Sequence, residues 1–242
     1  MKHPVAAFLI CLTVVSSLLA KDRGWLRISV TAGKKTIPLH FVVTDPRGQR
    51  EGRTSDSAPY IGEQSGASYD IESLTMGNSG TAVKCVSYTK NFMSYGVYTL
   101  TIYGLKTTTY SYNVTTKDLE LNNNSPVPDA SLDVLPAGKT STYNIQYDPT
   151  SGGEKTSIEK VVTYDTLRQD LLAAKELKGG KSGELINQLT QKINSTEKLP
   201  PPGQKKSLEA LLQKLINQSG QLIHPQISVI IQQDVKTLLR HL

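Results

Sequence analysis

Ten residues, Val43 to Gly52 (VTDPRGQREG), set three charged residue types and two glycines directly behind the apolar run LHFVV. Arg47 and Arg50, with Arg53 just beyond, repeat a guanidinium every three residues. That is a chemistry suited to carboxylates and phosphates, which take paired N–H donors. The same letters also spell a turn. Asp45 can accept from nearby backbone amides, Pro46 fixes the second turn position, and Gly48 tolerates a positive φ. A turn is the expected reading, with Arg47, Arg50 and Arg53 as a candidate anion-binding rim. Tyr60 and Tyr69, with Tyr95 and Tyr103, offer large amphipathic surfaces for recognition.

Other reactive residue types lack the company that catalysis needs. GGKS at Gly179 to Ser182 matches the end of a phosphate loop, yet Lys175 stands where that loop requires glycine and no strand precedes it. His40, His224 and His241 are too far apart in sequence for metal-ligand spacing, and DPTSGGE lacks the alternating oxygen ligands of a calcium loop. No Gly-x-Ser-x-Gly elbow occurs. Asp70 and Glu72 could form a glycosidase pair, but their turn-rich setting reads as solvated carboxylates. Cys85, inside TAVKCVSY, is expected to be a buried strand residue facing the core. The expectation is a non-enzymatic protein without metal or cofactor.

Lys2 and His3 precede an uncharged run from Val5 to Leu19, and Ala20 is followed by Lys21-Asp22. That is the pattern of a secretory signal peptide over residues 1–20, cleaved after Ala20. Cys85 would then be the lone cysteine of a secreted chain, whose core must hold without an internal disulfide. No later stretch approaches the length of a membrane-spanning helix. The formal net charge is +6, but no Phe, Trp or Tyr follows Tyr164, so the basic C-terminal part lacks the interleaved aromatics of a nucleic-acid surface.

What would position any site is a change of period along the chain. WLRISV, LHFVV, AVKCVSY, GVYTLTIYG, YSYNVTT, ASLDVL and STYNIQY are short, β-branched or aromatic, and separated by Gly, Pro, Asn and Asp. In VYTLTIY, Tyr98, Leu100 and Ile102 share one face, the signature of a strand with one side buried. About seven such strands predict an Ig-like all-β sandwich over residues 21–148. QYDPTSGGEKTS predicts a linker at 149–161. After Val162 the apolar residues recur every three to four positions: Leu167, Leu171, Ala174; Leu185, Leu189, Ile193; Leu208, Leu211, Leu212, Leu215; Ile227, Ile230, Ile231, Val235, Leu238, Leu239. Four amphipathic helices packed as a small bundle are expected over 162–242, with LPPPG excluding helix before the third, Ser207 capping it, and Pro225 opening the fourth.

The helical part resembles the FIMAH domain, a four-helix module at the ends of secreted bacterial proteins. The likeness is carried by TLRQDLLAAKELKGGKSGELINQLTQKINSTEK and SLEALLQKLINQSGQLIHPQISVIIQQDVKTLL, with Leu211 where that family usually has an aromatic. The matching positions are packing positions, so the resemblance implies a fold and no site. The first part is similar to the β-sandwich domains that precede such bundles, through VTDPRGQREG, Gly66-Ala67-Ser68-Tyr69 and GVYTLTIYG. Together these imply a secreted bacterial binding, adhesion or scaffold module whose partner is a protein or a cell-surface polysaccharide, not nucleic acid. The alternative is an accessory subunit of a secreted hydrolase, acting as an inhibitor or carbohydrate-binding module.

Overall fold

Strict alternation of apolar and polar side chains makes extended strands, because successive residues point to opposite faces. In the computed structural model residues 24–76, 81–118, 124–126, 132–148, 156–178, 183–219 and 223–242 are described. The expected leader at 1–20 lies outside them, as do Gly179 to Ser182 and most of the expected linker. The described strands are β1 (Gly24–Thr31), β2 (Leu39–Thr44), β3 (Arg50–Gly52), β4 (Ile61–Gly62), β5 (Ala67–Met76), β6 (Thr81–Met93), β7 (Gly96–Gly104), β8 (Thr108–Asp118), β9 (Asn124–Pro126), β10 (Leu132–Leu135), β11 (Thr140–Tyr147) and β12 (Ser157–Lys160).

They form two antiparallel sheets. One runs β10-β8-β1-β6-β5, with β9 also on β8, and the other runs β12-β11-β7-β2-β3-β4. Register aligns the apolar faces: Ile28 lies opposite Tyr88 and Val114, and Leu100 opposite Val43 and Tyr143. These residues join one core between the sheets, together with Leu26, Phe41, Ile102 and Ile145. As expected, Tyr98, Leu100 and Ile102 are all fully buried.

Four helices follow: α1 (Tyr164–Lys178), α2 (Gly183–Thr196), α3 (Pro201–Gln218) and α4 (Pro225–Arg240). The triple proline does not exclude helix; it starts α3. Pro200 is the N-cap and proline fills the first helical positions, where an N–H has no intrahelical acceptor in any case and the fixed φ suits the helix. Ser207 is therefore not a cap. It sits inside α3, where its hydroxyl lies 2.5 Å from that of Thr196 in the bundle interior. Pro225 opens α4 as expected.

An Ig-like sandwich followed by a separate bundle is not what forms. Five described strands beyond the seven expected widen the sheets, and the helices do not stand apart. Strand β10 supplies both cores: Leu135 packs between the sheets, while Val134 packs among Leu167, Leu171, Ile230 and Ile231 of the helices. The period-2 alternation of one edge strand thus welds the two regions. Residues 157–160, read as linker, are the paired strand β12.

Cys85 is buried but does not belong to the core between the sheets. It lies on the opposite side of β6, where Glu72 is its cross-strand partner. Burial first, and Glu72 second, push its thiol up in pKa, which lowers the thiolate fraction. Thiol reagents are therefore expected to label Cys85 slowly in the native protein and quickly in denaturant. Native labelling at the rate of a small free thiol would place the residue on the open surface.

Candidate functional site

The opening stretch is a turn with a buried anchor. Asp45 Oδ1 accepts from the amides of Arg47 at 2.9 Å and Gln49 at 3.0 Å, the Gly48 amide donates to the Asp45 carbonyl at 2.9 Å, and Gly48 has φ +83°. Lys90 Nζ donates to Asp45 Oδ2 and to Gln64 Oε1, both at 3.1 Å. Gln64 donates in turn to the carbonyls of Val43 and Gln49 and accepts from the Tyr88 hydroxyl. Glu51 ends in the same buried neighbourhood with Oε1 unpartnered, and burial raises its carboxyl pKa against the pull of Gln64 and Lys90. The chemistry of this stretch is that of a structural anchor.

Its arginines face separate partners. Arg50 pairs with Glu63 through side chain and backbone, the guanidinium at 2.9 Å, and Arg47 donates to Ser94. Arg53 lies near Tyr69. Tyr60 and Tyr69 do come together, their ring centroids 6.4 Å apart. They border a hydrogen-bonded chain in which Tyr69 donates to His40 Nδ1 at 2.6 Å and His40 Nε2 donates to Asp56 Oδ1 at 2.7 Å. That order resembles a catalytic relay, and burial raises the Tyr69 hydroxyl far above its ordinary pKa, so the phenol rests protonated. The chain pins the loop carrying Asp56 onto β2. Asp70 stays exposed, while Glu72 is held by Arg27 at 2.7 Å and by Ser87.

A concavity lies elsewhere, where the edges of both sheets meet α4. It has a volume of about 450 Å³ and is floored by Tyr112, Leu132, Ile158 and Ile230, within the usual range of ligand pockets. A smaller hollow continues it past Leu132, Ile230 and Gln233 to Gln226 and Val229. Helix α4 therefore presents one face, Gln226, Gln233, Lys236, Thr237 and Arg240, along a groove. The spacing of three, four and seven is the helical repeat. Glu159 faces Arg240 across it at 3.8 Å.

The end of the groove rests on four buried charges. Lys160 Nζ donates to Asp234 Oδ2 at 2.6 Å and to Asp133 Oδ1 at 2.9 Å, with Asp170 Oδ2 at 3.6 Å. Asp133 also accepts from the hydroxyls of Tyr110 and Tyr143 and from the amide of Val134. One ammonium on β12 thus ties β10, α1 and α4. Burial alone would lower the Lys160 pKa, but Asp133, Asp170 and Asp234 outweigh it and hold it well above the ordinary value. Burial, with Asp133 next, pushes both tyrosines up. Among the described residues no group of His, Cys, Asp or Glu is arranged to hold a metal; within this cluster the lysine takes a cation's place.

Sequence reasoning missed all four. Asp170 and Asp234 carried a usable signal, since each interrupts an apolar helix face: Asp170 beside Leu167, Leu171 and Ala174, and Asp234 beside Ile230, Ile231 and Leu238. A charge on a buried face calls for a partner.

Among the described residues no helix is long and apolar enough to cross a membrane. The chain matches no protein-family model and no curated protein. Among solved structures it is similar to a domain of unknown function, DUF4425, from Bacteroides vulgatus, at 13% identity and a TM-score of 0.24, over 52% of this chain and 98% of that one. At that score the likeness carries no argument.

Proposed function

We propose that this protein is a non-enzymatic binding module that recognises a protein or a cell-surface polysaccharide, with the groove beside α4 as its ligand seat. The observation that carries the reading is the groove itself: an apolar floor between two sheet edges, walled by one helix face of amides, a hydroxyl and cations. Apolar floors with a few fixed polar groups are the common form of a recognition site. The clamp at Lys160 supports it by fixing the wall against the floor before any ligand arrives, which reduces the ordering cost of binding. A secreted location, supported by the N-terminal pattern, and a FIMAH-like helical part belong to the same proposal.

The test is to fill the groove. Gln233 is exposed on α4, so Gln233→Trp adds bulk there without touching either core. Against a panel of soluble mannan, glucan and pectin fragments and extended peptides, any ligand bound by the full chain is expected to lose about tenfold or more in affinity, some 1.4 kcal/mol, with unchanged melting. A ligand that binds Gln233→Trp as well as the parent would place recognition elsewhere.

A further inference from the structure

Asp170 is the member of the buried cluster whose bonding is incomplete. Its residue is 2% exposed, yet Oδ2 has no hydrogen-bond partner. The ammonium it faces at 3.6 Å is already engaged more closely by Asp234 and Asp133. The charged and titratable groups that act on it come from several elements: Lys160 from β12, Asp133 from β10 and Asp234 from α4, with Tyr110 of β8 and Tyr143 of β11 behind Asp133. None of these adds a second positive charge. One cation cannot neutralise three carboxylates shut away from water, and a buried acceptor without a donor is costly. Where two carboxyl groups crowd together, the economical solution is a shared proton.

We propose that Asp170 is a proton-binding site that holds α1 and α4 against the sheet edges, and that loss of its proton to a base in solution loosens the helices and opens the groove. In the closed state the Asp170 hydroxyl donates to Asp234. After ionisation two like charges face one another and Lys160 is left to balance three. The direction of titration agrees: burial raises the Asp170 carboxyl, Lys160 lowers it, and Asp234 and Asp133 raise it again, leaving it well above the carboxylate range. A raised folded-state pKa contributes stability that is complete below the unfolded pKa and is lost as pH rises through the folded one. The consequence for ligand capture rests on the groove being the seat; the proton site does not.

The test uses the full chain with carbon-13 at its aspartate carboxyls, followed by NMR from acid to mild alkali without ligand. One carboxyl resonance is expected to stay in the protonated position after the exposed aspartates have ionised, and to be absent from Asp170→Asn. Over its titration, α4 amide protection should fall about tenfold beyond the change in intrinsic exchange in the parent. It should stay level in Asp170→Asn, whose amide still donates to Asp234. If that variant does not fold, Asp234→Asn replaces it: with one carboxylate fewer, the late titration should move to lower pH. Every aspartate of the parent ionising together with the exposed ones, or α4 exchange that responds to pH alike in parent and Asp170→Asn, would overturn the proposal. Failure of the groove as a seat would instead show as no ligand lost on Gln233→Trp, with the late carboxyl resonance still present.

Discussion

Lys160→Met is expected to destabilise the protein by about 3–5 kcal/mol at neutral pH, the range for removing one partner of a buried ion pair. Met keeps most of the volume, so the loss reports charge and not a cavity. Without the ammonium, Asp133 and Asp234 remain buried beside one another, and the tyrosine and amide donors to Asp133 offset only part of that. The neutral side chain leaves the buried carboxylates without a counter-charge, so the deficit is electrostatic and should be little relieved by added volume at position 160. Urea denaturation at neutral pH measures it. A loss below about 1 kcal/mol at neutral pH, the scale of an exposed pair, would mean that the cluster is open to water.

The second large effect lies in the stretch VTDPRGQREG. A methyl group on Gly52 would sit 2.2 Å from the Phe41 carbonyl oxygen and 3.0 Å from Val42 Cα, at a φ of +133°. Neither obstacle can move, because both belong to the backbone of β2, to which β3 is paired. Gly48 has φ +83° but nothing within 4 Å of its missing side chain. Gly52→Ala should therefore cost about 3 kcal/mol or more, by strain and clash together, and Gly48→Ala about 1 kcal/mol, by dihedral alone. Equal losses for the two would show that the close approach at Gly52 relaxes and only the dihedral counts.

Much of the secondary structure is legible because it is periodic. GVYTLTIYG became β7 with the faces its alternation implies, and all four apolar helical repeats became helices. Strand β5 was not legible: ASYDIESLTM places Ser68, Asp70 and Glu72 on one face between Gly/Ser-rich flanks, so polar side chains on an edge strand imitated a loop. Strand β12 was missed because SIEK is four residues beside a Gly-rich segment. The cluster at Lys160 was illegible for a different reason. Its members lie far apart in sequence and belong to four elements, and no local spacing encodes a contact that exists only once the sheets and helices meet. The rim of arginines shows the converse, because close sequence spacing delivered Arg47 and Arg50 to different partners.

Strand β1 sits in the middle of its sheet, yet its ladders run to β6 and β8 and none to a sequence neighbour. In the other sheet β7 likewise bonds β2 and β11. Hairpins such as β5–β6 and the short helices can gather locally, but the central ladders reward the chain only after long loops have closed. Such topologies fold on the order of milliseconds to seconds. Until β1 docks, β6 and β8 each hold out a free hydrogen-bonding edge, open to the same strand of another molecule. For a chain of this order, the rate of renaturation and the concentration it tolerates are set by when β1 arrives.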